Sequence, residues 1–142
     1  IRGRYGEAPM TDLIAHRLAL ALSSKLEASA TVVIGRDTRA SGQTLQNIMR
    51  AGFEARGHKV ILLGVVPTPA VAMAVTHFKA TMGIALTASH NPASDNGIKL
   101  FNERGQKLKP EEEQVIESLL EAELSSPTNF KTIAQNHNKI WL

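Results

Sequence analysis

The sequence predicts a three-layer α/β/α domain with a mostly parallel, mixed four-stranded sheet. Three observations predict it. Short apolar runs rich in Val, Ile and Leu alternate along the chain with helical stripes. The main apolar runs give way to loops rich in Gly, Ser, Asn, Asp or Pro. The 142 residues make one domain, and 43% hydrophobic with 20% charged content suits a packed core under a charged surface.

The elements follow in order. An irregular, Gly-containing start ends at Pro9-Met10-Thr11. Ile14, Leu18, Leu22 and Leu26 then recur every four residues, the stripe of an amphipathic helix. Thr31 to Ile34 is a buried strand, and GRDTRASG follows as a loop. Ser41 is the expected cap of the next helix, whose apolar face is Leu45, Ile48, Met49, Gly52 and Phe53. Gly57 ends that helix. Lys59 to Leu63 is a second strand, Gly64 to Thr68 a loop, and Thr68-Pro69 opens a short helix to about His77. Thr81 to Leu86 is a third strand. Thr87 to Asn96 leaves the core as small and polar residues, and Gly97 to Phe101 returns as a fourth strand. So short a connection allows that strand to run antiparallel. Pro110 opens a last helix with Val115, Ile116, Leu119 and Leu120 on one face. Residues 1–124 read as one domain, and 125–142 as a linker or the start of a neighbour, with Trp141 suited to that neighbour's packing. The first residue is Ile1 rather than Met, which suggests that the natural protein begins earlier.

Composition narrows the function. There is no cysteine, so neither a disulfide framework nor a thiolate metal site is available. That fits a reducing compartment, and with no export signal visible the expected location is the cytoplasm. No apolar run approaches the roughly 18 residues of a membrane span. The net charge is +3, with Lys and Arg scattered among Asp and Glu and few aromatics. This argues against nucleic acid and suits a small anionic substrate.

In open α/β sheets, ligands gather at the carboxyl ends of strands. Three polar loops leave that edge: 35–42, 64–68 and 87–96. In the third, small neighbours leave Ser89 approachable, and main-chain N–H groups of such loops bind anions. A plain turn serine is the competing reading. Ser89 beside His90 suggests a hydrolase pair. However, neighbouring side chains of an extended chain face opposite ways, and no G-x-S-x-G elbow is present. Lys99 alternates with Ile98 and Leu100, so it is either a solvated lysine or an ammonium near a phosphate or a moving proton. Arg36 and Arg39 flank Asp37, which suits either anion positioning or a structural Asp–Arg pair. Arg2 lies beside Gly3 in a segment able to form a tight loop. The 35–42 loop satisfies neither the G-x-x-x-x-G-K-[ST] nor the G-x-G-x-x-G pattern, which ranks a nucleotide-binding fold low.

Together TASHNPASDNGIKLF, the opening IRG, GRDTRASG and PTPA at 67–70 resemble the N-terminal domain of the α-D-phosphohexomutases, over nearly all of the chain to about Leu120. That family includes phosphoglucomutase, phosphomannomutase and phosphoglucosamine mutase. The opening IRGRYGEAPMT and DNGIKLFNERGQKL look most like the phosphoglucosamine mutase branch, although Thr87 departs from its usual Ser. The resemblance implies that Ser89 carries a phosphoryl group between the 6- and 1-positions of a hexose phosphate, through a sugar bisphosphate. Glucosamine 6-phosphate is the first choice of substrate; phosphomannomutase or phosphoglucomutase activity is the alternative. It implies that His90 and Asn91 frame the phosphoserine, that Lys99 is the general acid or base, and that Arg2 reaches into the site. Arg36 is an expected phosphate-binding residue. The resemblance also implies Mg2+, bound here only through the phosphate on Ser89, with the other ligands in a separate domain. Domains II–IV are absent, so the fragment alone is expected to be inactive. A non-catalytic module derived from this domain is the other alternative, although Ser89, Asn91 and Lys99 are all retained.

Overall fold

The computed structural model describes residues 1–125. The expectations for the linker and for Trp141 therefore fall almost wholly outside the described residues. Among the described residues nine elements run in the order β1 (Arg2–Arg4), α1 (Asp12–Ser23), β2 (Thr31–Arg36), α2 (Ala40–Ala55), β3 (Lys59–Val65), α3 (Thr68–His77), β4 (Met82–Leu86), β5 (Asp95–Phe101) and α4 (Pro110–Leu124).

The sheet has five strands rather than four, in the order β1-β5-β4-β2-β3. The strand not foreseen is β1. It is three residues long, two of them arginine, and carries no apolar alternation to announce it. It is a strand only because β5 offers it a partner, with Arg2 opposite Gly97 and Arg4 opposite Asp95. β2 pairs in parallel with β3 and β4. β5 runs antiparallel to β4, as the short connection allowed.

The alternation of side chains along β2 builds two cores. Val32 and Ile34 face α1, α2 and α4, packing with Leu18, Leu22, Leu45, Met49 and Phe53. Val33 faces α3 and packs with Val71 and Val75. The α/β/α layering follows from this split.

Local chemistry sets the helix ends. The Thr11 side chain accepts from the Ile14 amide at 3.1 Å and caps α1. Ser41 does not cap α2: the helix begins at Ala40, with Arg39 as its N-cap residue. Instead the Asp37 carboxylate accepts the Arg39 amide at 3.0 Å, and Ser41 Oγ accepts from Asn96 at 2.8 Å. The Asp37 bond makes an Asx-type turn ahead of the helix, and α2 itself has no side-chain cap hydrogen bond. Gly57, at φ 83°, follows the end of α2. On that helix Leu45, Met49 and Phe53 are fully buried, while Ile48 is half-buried at the rim. α3 starts at Thr68 with Pro67 before it, one residue earlier than the expected cap. On α4 only Ile116 is buried; Val115 is exposed, so the packing face is narrower than the stripe suggested.

Candidate active site

β4 and β5 are joined by the loop that carries Ser89, so the site grows from the sheet edge. Thr87 continues from β4 and donates its hydroxyl to Asp37 Oδ2 at 2.7 Å. The same Thr87 oxygen accepts the Ser89 amide at 3.1 Å. Ser89 then turns into the left-handed region, with φ 53°. A non-glycine residue held there stores strain of about 1–2 kcal/mol, an arrangement that clusters at functional sites. The turn leaves Ser89 exposed. Its hydroxyl accepts a hydrogen bond from Lys99 Nζ at 2.8 Å.

Lys99 reaches Ser89 because of the strand register. Ile98 and Leu100 turn toward the first core, so Lys99 falls on the opposite face. There α3 packs chiefly on β2 and β4, which leaves Lys99 half-exposed.

Arg39 holds the loop from below. Its guanidinium donates from Nε to Asp37 Oδ2 at 3.0 Å. Nη2 donates to the carbonyls of Ser89 at 3.0 Å and Asn91 at 3.1 Å. Nη1 donates to the carbonyls of Pro92 and Asp95, the latter at 3.3 Å. Burial pushes the Asp37 carboxyl up. The Thr87 hydroxyl, the Arg39 amide and the Arg39 guanidinium outweigh it and hold the group below its ordinary range. Asp37 is thus an anion that organises two segments at once.

The structure brings some of the expected residues together and separates others. Arg2, Thr87 and Lys99 all border one cavity of about 410 Å³, together with Lys107 and, from α4, Glu113 and Glu117. Ser89 meets this group through Lys99. Arg36 lies elsewhere, in a smaller cleft of about 130 Å³ where the loops after β2, β3 and β4 converge. Asn91 closes the serine loop by donating to Asp95 Oδ2 at 2.9 Å. His90 is exposed, and among the described residues no hydrogen bond joins it to Ser89. The Ser-His hydrolase arrangement is therefore not formed.

Asp37, Arg39 and Thr87 are the residues whose part the sequence reading understated. An aspartate two positions from an arginine at a strand end was the available signal, and the pair's partners in the Ser89 loop lie 50 residues or more away. Among the described residues, no group of three or more His, Cys, Asp and Glu side chains suits a metal ion. None of the described helices is long and apolar enough to cross a membrane.

Residues 1–126 match the family described as phosphoglucomutase/phosphomannomutase, alpha/beta/alpha domain I. Phosphoglucosamine mutase 2 of Shewanella baltica is 46% identical over 127 residues, which cover 88% of this chain and 28% of that protein. Phosphoglucosamine mutase of Agrobacterium fabrum is 47% identical over 137 residues, covering 92% of this chain and 30% of its own length. A crystal structure from Thermus thermophilus, assigned as a phosphomannomutase, superposes with a TM-score of 0.78 at 36% identity, covering 84% of this chain and 28% of that one. The chain thus spans under a third of the length of these relatives. A match over nearly its whole length places the chain in the phosphoglucomutase/phosphomannomutase family, as the N-terminal domain of an α-D-phosphohexomutase.

Proposed function

We propose that this chain is the phosphoserine-bearing first domain of a four-domain phosphohexomutase, and that Ser89 is the phosphoryl carrier. The observation that carries the proposal is the 2.8 Å hydrogen bond from the Lys99 ammonium to an exposed, left-handed serine hydroxyl. A serine hydroxyl is a weak nucleophile without help. Phosphorylated, it holds roughly −1.5 to −2 charges near neutral pH, and transfer from it depends on position and charge stabilisation.

In the forward direction the bond from phosphorus to Ser89 Oγ breaks and a bond forms to the free 1-hydroxyl of the hexose 6-phosphate. Lys99 Nζ is placed to give Oγ the proton it needs as leaving group, and a base on the sugar side takes the hydroxyl proton. The bisphosphate then turns over in the site; its 6-phosphoryl group passes to Ser89 Oγ, whose proton returns to Lys99 Nζ, the sugar 6-oxygen takes the proton held by the sugar-side base, and the 1-phosphate leaves. Arg2 and Lys107 supply positive charge along the adjoining cavity. His90 and Asn91 frame the phosphoserine, Asn91 by holding the loop closed. Arg36 contributes to phosphate binding from the neighbouring cleft.

Glucosamine 6-phosphate is the favoured substrate, since relatives named phosphoglucosamine mutase reach 46–48% identity. Mannose or glucose phosphate is the second reading, favoured by the family's description and, for mannose, by the Thermus thermophilus structure. The described residues do not themselves compose a metal site. Mg2+ in the complete enzyme would meet this chain only at the phosphoryl oxygens on Ser89. We place the protein in the cytoplasm, and we expect the 142-residue chain alone to lack mutase activity.

The test is Ser89→Ala in the full-length enzyme. Turnover of hexose phosphate is lost, the mass of one phosphoryl group disappears from the protein, and thermal unfolding is unchanged. A variant that turns over normally would falsify the assignment.

A further inference from the structure

We infer that Arg39 is a positioning residue for the proposed phosphoryl transfer, acting by fixing the direction of the peptide dipoles in the Ser89 loop. The inference rests on the reading of Ser89 as the carrier and adds a residue to it.

A guanidinium has five N–H donors in a rigid plane. In Arg39 all five have an acceptor: one in the Asp37 carboxylate and four in the carbonyls of Ser89, Asn91, Pro92 and Asp95. The side chain is 9% exposed, and its bonds to the Ser89 and Pro92 carbonyls lie at the solvent-facing edge. Four carbonyls of one short loop converge on a single cation.

Peptide planarity gives that convergence a consequence. In a trans peptide the C=O of one residue and the N–H of the next point in opposite directions. With the Ser89 and Pro92 carbonyls turned toward Arg39, the His90 and Ala93 amides are turned away from it. Neither amide donates to an acceptor among the described residues. The loop therefore offers unspent N–H donors on the side away from Arg39, next to the residue that would carry phosphate. Asp37 aims the guanidinium, and through Thr87 it also holds the Ser89 amide. Lysine cannot replace the fork, because three tetrahedral donors cannot reach five acceptors in one plane.

The test uses the full-length enzyme with Arg39→Ala and Arg39→Lys. Displacing reacting groups by about 1 Å can cost roughly 100-fold in rate. We expect kcat to fall by about that factor in both variants, with the KM for hexose phosphate unchanged. Millimolar guanidinium chloride, far below denaturing levels, should restore Arg39→Ala in a saturable way, whereas ammonium chloride at equal ionic strength should not. Full kcat in either variant would overturn the inference, as would a loss that guanidinium does not relieve. If Arg39→Ala does not fold, Arg39→Lys decides: low kcat at wild-type melting temperature supports the inference, and any other result overturns it. Ser89→Ala separates the two levels. Normal turnover there sinks the carrier assignment itself, whereas failure at Arg39 alone leaves it standing.

Discussion

Gly97 is the point where β1, β5 and the root of the Ser89 loop come closest. A Cβ added there would lie 2.6 Å from the Thr87 carbonyl oxygen, 2.8 Å from Arg2 Cβ and 3.0 Å from the Ile1 carbonyl oxygen. Ordinary carbon–oxygen contacts lie at about 3.3–3.6 Å, so the overlap is several tenths of an ångström on both sides. Neither carbonyl swings aside as a side-chain tip would. The Thr87 amide donates to the Gly97 carbonyl at 3.0 Å, and the Ile98 amide donates to the Ile1 carbonyl at 2.8 Å. Gly97→Ala must therefore part strands. β1 gives way first, being three residues long and, among the described residues, paired with β5 alone. Overpacking of this kind costs about 1–3 kcal/mol. At about 4 °C per kcal/mol for a domain of this size, the melting temperature should fall by roughly 4–12 °C. Circular dichroism of the 142-residue chain measures the fall, and amide hydrogen exchange should show faster exchange in β1. In the full-length enzyme kcat should fall too, because Arg2 loses its place beside Lys99. An unchanged melting temperature with unchanged protection of β1 would refute the reasoning.

Two titrations extend these expectations. The Asp37 carboxyl is pushed up by burial but held below its ordinary 3.8 by Thr87 and Arg39. A lowered carboxyl contributes stability that is full above its unfolded value and is lost as pH falls through the folded one. The urea midpoint of wild type should therefore exceed that of Asp37→Asn by a constant amount above about pH 5, with the gap closing in acid; a gap independent of pH contradicts the assignment. Tyr5, the sole tyrosine, donates its hydroxyl to Asp12. Burial, that hydrogen bond and the Asp12 charge raise its ionisation far above the ordinary 10.0. A raised group stabilises below its unfolded value and loses that contribution as pH climbs through the folded one. Tyrosinate absorbance should hence appear at higher pH than for a free tyrosine, and Asp12→Asn should bring it back toward 10.0; ordinary titration in the folded wild-type chain would count against the contact.

Much of this molecule is legible in its sequence. The helical stripes and apolar strands lie where the periodicity placed them, to within a few residues. The Ser89 loop leaves the sheet at Thr87, where the apolar run ends. These features are local: composition over a few residues decides burial and backbone preference. Lys99 was legible as a residue of opposite facing, because alternation along a strand is also local.

What the chain left open depends on partners far away in sequence. β1 has no strand signature of its own, and it exists because β5 lacks a neighbour on that side. Ser41 reads as a cap, yet it lies inside α2, which has no side-chain cap hydrogen bond, and its hydroxyl meets Asn96 instead. Arg36 and Arg39 are indistinguishable by composition. Only the tertiary structure sends Arg39 under the serine loop and Arg36 into a separate cleft. Burial and propensity act over short stretches, so the order of residues is enough to specify which elements form and which loop leaves the core. Which cation meets which carbonyl is a matter of folding, because a hydrogen bond depends on direction and distance between segments that lie far apart along the chain.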